Sequence, residues 1–346
     1  MTPAPTPATT HPPTPTFPPH PAPRNWLITA CTSPIGIAIA RQVLSHGDNV
    51  IAGLNPRHLA EGHGDGGEEE GDAQRGEEFR EFWRECEEEG WKERCKGVEL
   101  DGRSLVGTVE ELAASPRTQT LVREQFESNF FGPVNCIKAA LPTMRRRNSG
   151  HVMILTGITG HLGTPGLGMY CAAGWALEGF CDSLAYEIAP FNIKMTIVQP
   201  TMEIGVLTNK IISAPSMPQY SPDNNPAPLF RGIIGGLLDR LDLVQQNGNY
   251  EPASLAGDRI QTLYPKLPPE MQSSLLAETI NAITAIGGHD NPPARHIVGH
   301  EGVASVKEKL KTVSEELEDF VDCSCAVDID DGHGIEDANG SIDGML

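Results

Sequence analysis

The chain is 346 residues long, carries a formal net charge of −20 and is 39% hydrophobic. That length suits one large α/β domain with extensions, or two small domains. The acidic balance excludes extended contact with nucleic acid or an anionic membrane, because both require clustered Lys and Arg. The eight cysteines include no CxxC pair and no His at zinc-ligand spacing, which points to free thiols in a reducing compartment and to no metal centre. No basic region followed by an apolar run opens the chain, and no stretch approaches the ~18 apolar residues of a membrane span, so a cytoplasmic protein is expected.

Met1–Arg24 is rich in Pro and Thr and is expected to be a disordered lead-in. Order is expected from Asn25. Trp26-Leu27-Ile28-Thr29-Ala30 reads as a short strand, followed by Cys31-Thr32-Ser33-Pro34-Ile35-Gly36 and a helix that ends at His46-Gly47. Ser33 suits an N-cap, Pro34 the first helical position and Gly47 the residue after the C-cap. Asn49–Leu54 reads as a second strand, which completes a βαβ unit. An acidic loop is expected over Glu61–Glu78, before a helix whose Phe79, Phe82, Trp83 and Cys86 share one face.

Cys95–Leu100 is a third strand ended by Asp101-Gly102. A long helix is expected from Thr118 to Arg147, kinked at Pro133. His151–Thr156 reads as a strand, Gly168–Ala189 as a helix and Asn192–Val198 as a strand. An irregular stretch reaches Pro228, an apolar helix runs through Phe230–Leu243, and a looser helical region spans Ser254–Ile286. Arg295–Val298 is a last strand. Val303, Val306, Leu310, Val313, Leu317 and Phe320 mark a closing amphipathic helix, and Cys323 onward reads as a disordered acidic tail. Strands alternating with helices imply a doubly wound parallel sheet with helices on both faces, and no linker divides residues 25–322.

One run carries more information than the rest. Asn129-Phe130-Phe131-Gly132, Gly157-Ile158-Thr159-Gly160, Pro165-Gly166, Tyr170, Ala176-Leu177-Glu178-Gly179-Phe180, Ser183-Leu184-Ala185 and Val198-Gln199-Pro200 follow one another in order. This pattern resembles the short-chain dehydrogenase/reductase superfamily, over about residues 25–321. The resemblance implies a Rossmann-type sheet, an NAD or NADP cofactor, and hydride transfer between a carbonyl and an alcohol. A small or medium lipophilic substrate is expected, entering under a lid formed by Met202–Leu243. Pairing of two long helices implies a homodimer or homotetramer.

Residue by residue, Tyr170 matches the catalytic tyrosine of the YxxxK motif and Asn129 the asparagine of the proton relay. The expected lysine is Gly174 and the expected serine is Gly157; Thr156 or Thr159 is a candidate substitute hydroxyl. A tyrosine without these helpers keeps a pKa of about 10 and is about 0.1% ionised at neutral pH. The TGxxxGxG turn is matched by Thr29, Ala30, Cys31, Thr32, Ser33, Pro34, Ile35 and Gly36, with two of its three glycines replaced. No acid stands beside Leu54-Asn55, which favours NADP, with Arg57 as phosphate partner. The resemblance puts Asp101 on the adenine amine, and Pro200 and Thr201 beside the nicotinamide.

The family's helix and central strand after Asp101 are not found. Instead Asp101-Gly102-Arg103-Ser104 runs straight into Leu105–Leu112, which resembles what normally follows that unit. A buried strand contributes on the order of 10 kcal/mol, comparable with a domain's net stability. Either Ser104–Val109 improvises the strand, or the chain is a truncated splice product without activity. A third reading is a non-catalytic relative that keeps the fold and binds a dinucleotide or a partner.

Overall fold

The computed structural model describes residues 22–54, 70–99, 104–201, 211–234, 257–263, 269–287 and 289–325. Residues up to Val303 form one compact unit, and those from Ala304 on form a second.

The first unit opens as the capping signals require. Strand β1 (Asn25–Ile28) leads into helix α1 (Pro34–Ser45), capped by Ser33, whose Oγ accepts from Gly36 N at 3.1 Å. Strand β2 (Asn49–Leu54) lies parallel to β1, and β3 (Cys95–Glu99) parallel to β2. Arg24, assigned to the lead-in, is held at the edge of this unit: its N and Nε donate to the buried Asp48 carboxylate at 2.8 and 3.1 Å. Helix α2 (Glu70–Glu88) starts inside the expected acidic loop. Glu77 there pairs with Arg80 at 2.9 Å and Arg84 at 3.2 Å, so residues 70–78 of the expected loop are helical, and residues 61–69 lie outside the described residues. Ile37, Val43 and Leu44 of α1 form one core with Val50, Ala52, Phe79, Phe82 and Cys86.

Strand β4 (Ser104–Val106) is followed by two short helices, α3 (Val109–Ala113) and α4 (Pro116–Phe126). Each begins with a capping box, Thr108 with Glu111 and Ser115 with Thr118. The long helix expected over 118–147 is therefore broken. A π-helical turn at Glu127–Phe131 separates α4 from α5 (Gly132–Arg147). Pro133 has no N–H to return to the preceding turn, and the backbone widens just before it.

Strand β5 (Gly150–Leu155), helix α6 (Gly168–Ile188) and strand β6 (Ile193–Pro200) form a second parallel pair with its crossover, extended by β9 (Arg295–Val298). The stretch expected to be irregular before Pro228 contains β7 (Ile211–Ser213), wholly buried and parallel to β4. The stretch expected to be helical from Ser254 contains β8 (Gln261–Leu263), antiparallel to β7, and its helix α7 (Pro269–Gly287) starts later.

Among the described residues the strands form three separate sheets, β1-β2-β3, β4-β7-β8 and β5-β6-β9. Ser104–Val106 does improvise a strand. It pairs with β7 rather than bridging β1 and β5, where the central strand of a continuous sheet would lie. Leu105, Leu112, Leu121, Ile212 and Ala214 give this sheet and its two short helices their own small core. Helix α8 (His300–Asp319) begins in the first unit and continues into the second, whose last described element is α9 (Val321–Cys325). Cys323 to Cys325, placed in the acidic tail by composition, are helical.

Candidate active site

In a parallel sheet the strands end on one edge, and the loops after them are the natural place for chemistry. Tyr170 sits in the first turn of α6, just beyond the loop that follows β5. Tyr170 is half-buried, and the hydroxyls of Ser104 and Thr159 lie near its phenol. Burial pushes the phenol above its ordinary pKa; the two hydroxyls work in the opposite direction, and neighbouring Cys171 adds to the rise. Of the two threonines expected as substitutes, Thr159 lies near the phenol, whereas the Oγ1 of Thr156 donates to Glu178 Oε1 at 2.6 Å.

The two glycines in place of serine and lysine have structural causes. Gly157 has φ 77° and ψ 167°, a region closed to side chains. A β-carbon on Gly174 would lie 3.3 Å from Gly160 Cα, so α6 runs almost against the Ile158–Gly160 turn. A β-carbon on Gly160 would in turn overlap the Glu178 carboxylate. Gly160→Ala is expected to lower stability by about 1–3 kcal/mol, from overpacking; a thermal melt checks this, and an unchanged midpoint would mean that Glu178 swings away freely.

Glu178 is buried and takes Gln199 Nε2 at 2.8 and 3.0 Å, with Arg295 Nη2 at 3.6 Å. Burial raises its pKa, while Thr156, Gln199 and Arg295 work against the rise. This cluster ties the ends of β5 and β6 and the start of β9 to α6, and the sequence reading did not anticipate it. Asn129 lies half-buried on the π turn, which packs against α6, and its Oδ1 accepts from Ser128 Oγ at 2.8 Å.

The expected lid is described over 211–234. Arg231 makes a buried pair with Glu111: its Nη1 donates to both carboxylate oxygens, at 2.8 and 2.7 Å. Burial opposes the Glu111 charge, but Arg231 and the amides of Thr108 and Met217 outweigh it and hold the carboxyl below its usual range. Phe230 N donates to Pro165 O at 2.8 Å and Gly107 N to Gly166 O at 2.9 Å. The segment is thus fastened to the loop that leads into Tyr170.

On the cofactor side, Thr29 is exposed, Ser33 half-buried, and Thr32, Ile35 and Gly36 buried in the β1–α1 turn. Gly36 serves packing here, since a β-carbon would overlap the Ala30 carbonyl. Pro34 has no N–H, and Ser33 caps that of Gly36. The turn still offers a phosphate the Ile35 N–H, the exposed Thr29 hydroxyl and the positive end of α1, so it fits a pyrophosphate with fewer donors than a glycine-rich turn. Pro200 and Thr201 are buried at the end of β6, with Thr201 N donating to Val298 O at 3.1 Å. A cavity of about 270 Å³ adjoins Thr201, and its Glu278 and Glu301 make it unsuited to phosphate. Arg57 and Asp101 lie outside the described residues. Among the described residues no group of side chains could hold a metal ion, and no helix is long and apolar enough to cross a membrane.

Residues 106–212 match the family model of the short chain dehydrogenases. Human retinol dehydrogenase 8 is 32% identical over 231 residues, which is 61% of this chain and 70% of that protein. Oxidoreductase BOA17 of Botryotinia fuckeliana is 27% identical over 268 residues, 70% of this chain and 86% of that one. The crystal structure of a short-chain dehydrogenase from Streptomyces avermitilis superposes with a TM-score of 0.61 at 24% identity, over 89% of this chain and 99% of that one. With a tyrosine in the first turn of the helix after β5, strand ends gathered on one edge and these relatives, the chain belongs to the short-chain dehydrogenase family.

Proposed function

We propose that the protein is an NADP-dependent oxidoreductase that transfers a hydride between a carbonyl and an alcohol on a small or medium lipophilic substrate. The observation that carries this reading is the half-buried Tyr170 in the first turn of α6, with the Ser104 and Thr159 hydroxyls near its phenol and its leading loop fastened through Pro165 and Gly166. Thr29, Thr32, Ser33, Ile35 and Gly36 would hold the pyrophosphate, Pro200 and Thr201 the nicotinamide end, Asp101 the adenine amine and Arg57 the ribose phosphate. When bound, that cofactor supplies the hydride. Tyr170 supplies the proton: its O–H bond breaks as the substrate oxygen gains the hydrogen, and the phenolate left behind is taken by the neighbouring hydroxyls. Asn129, on the π turn against α6, would hold the water that returns a proton. A lipophilic substrate agrees with the name of retinol dehydrogenase 8, whose substrate is a lipophilic alcohol.

A second reading, a dinucleotide-binding relative without turnover, is favoured by Gly174, which leaves the lysine position beside Tyr170 without a cation. One experiment separates the two. NADPH at 100 times its Kd is expected to stabilise the protein by about 2.7 kcal/mol, a rise of several degrees in Tm. Purified protein is also expected to oxidise NADPH with a panel of ketones. A thermal shift without turnover supports the second reading; no shift with millimolar NADPH or NADH sinks both.

A further inference from the structure

We infer that the groove between helix α2 and strand β3 is a binding site for an amphipathic monocarboxylate with a medium-length hydrocarbon chain. It shares no residue with those assigned to the Tyr170 site or to the cofactor, and it does not depend on that assignment.

The groove follows from an absent side chain. Among the described residues β3 is the outer strand of the sheet β1-β2-β3, and Gly97 within it gives α2 nothing to pack on. Leu54 of β2 leans into the space left over: a β-carbon at position 97 would lie 2.6 Å from its Cδ1. From the other side α2 brings Phe79 and Trp83, one turn apart, with ring centroids 6.0 Å apart and planes inclined by 31°. Phe79 is buried in the core, whereas Trp83 is half-buried and forms a wall. The result is a cavity of about 490 Å³, of the size that small ligands occupy, with an almost wholly apolar lining.

Charge at the mouth selects the ligand. Arg80 and Arg84 complete the lining, one turn apart on α2. Both lean on one carboxylate, that of Glu77, Arg80 Nη2 at 2.9 Å and Arg84 Nη2 at 3.2 Å. Two guanidiniums and one carboxylate leave a positive charge over, and each guanidinium has further N–H donors to offer. Their side chains are 42% and 64% exposed, so the stems can flank the apolar wall while the heads stay in water. A carboxylate with a hydrocarbon chain behind it satisfies both the mouth and the walls; a neutral chain satisfies the walls alone. The protein as a whole carries a net charge of −20 and repels carboxylates, so a monoanion that binds must answer a local excess of positive charge.

The full-length protein is titrated with sodium octanoate, and the Trp83 indole N–H, assigned with Trp83→Phe, is followed by ¹H–¹⁵N NMR. Octanoate is expected to move that signal to saturation. Hexanoate, two methylenes shorter, is expected to bind about 15-fold more weakly, a factor of about four for each methylene not buried. 1-Octanol lacks the charge and is expected to bind about fivefold more weakly than octanoate. The double variant Arg80→Gln, Arg84→Gln is expected to erase that preference. Gly97→Val fills the floor of the groove and is expected to weaken octanoate about tenfold by displacing part of its chain. Equal affinity for the two chain lengths, octanol binding as tightly as octanoate, a preference that survives in the double variant, or unchanged octanoate binding in Gly97→Val overturns the inference. Should Gly97→Val fail to fold, the chain lengths, the head groups and the partly exposed arginines decide. The readout needs neither turnover nor cofactor, so an inactive protein would sink the enzymatic reading and leave this result standing.

Discussion

Tyr170→Phe is expected to lower the turnover number for ketone reduction by about 10²–10⁴-fold, the usual worth of a positioned general acid. The substitution removes one oxygen and leaves the ring, so the packing of α6 on its turn persists. Loss of the half-buried hydroxyl costs about 1 kcal/mol of stability. The variant should therefore remain folded and keep its NADPH-induced thermal shift, because the β1–α1 turn is untouched. Loss of kcat with retained cofactor binding would locate the defect at the proton donor. Turnover equal to that of the unaltered protein would refute the assignment of Tyr170, and the hydroxyls around it would then have to be explained as core packing.

Glu111→Ala is expected to be the most damaging single change to stability outside the apolar core, at about 3–5 kcal/mol. Glu111 is fully buried and carries four contacts: two from Arg231 Nη1, one from Met217 N at 3.0 Å and one from Thr108 N at 2.8 Å. Removing it leaves the Arg231 charge half-enclosed against β7 without its carboxylate. Arg231 keeps 12% side-chain exposure, so water relieves part of the cost and the lower end of the range applies. A shift of the urea midpoint measures the effect; a change below about 1 kcal/mol would show that the pair is spectator to the fold. Replacing both partners with Leu and Met should recover much of the loss, since an apolar pair of similar volume needs no desolvation.

The same pair sets a pH dependence. The folded carboxyl is held below its unfolded value, so its contribution is fully present above the unfolded pKa of about 4.3 and is lost as pH falls through the lower, folded value. Acid unfolding of the unaltered protein should therefore be steeper than that of the doubly apolar variant.

Local signals written in neighbouring residues were legible in advance. Ser33-Pro34 with Gly47 set the ends of α1, and the apolar runs of β5 and β6 marked two of the parallel strands. The same logic could have found α4, because Ser115-Pro116 repeats the cap-and-proline signature of Ser33-Pro34. The short strands β7 and β8 had no such signal. Three residues show no period, and Ile211–Ser213 is a strand only because β4 lies beside it. The acidic face of α2 was misread as a loop for the opposite reason: a helix with few apolar residues in its first turns looks polar all round until its ion pairs are in place.

The tyrosine itself, the absence of its two customary helpers and the α/β order of elements belong to the sequence alone, since each is carried by a contiguous motif or its replacement. What surrounds that tyrosine was decided by the tertiary structure. Ser104 and Thr159 are remote from one another along the chain and carry no motif, yet both lie near the Tyr170 phenol; the turn that bears Thr159 lies against α6 because Gly157 turns the backbone and Gly160 and Gly174 admit the close approach. The strand that brings Ser104 must also find β7 as its neighbour. Hydrogen bonds require contact distance, and contact between distant residues depends on a backbone path that no local pattern encodes.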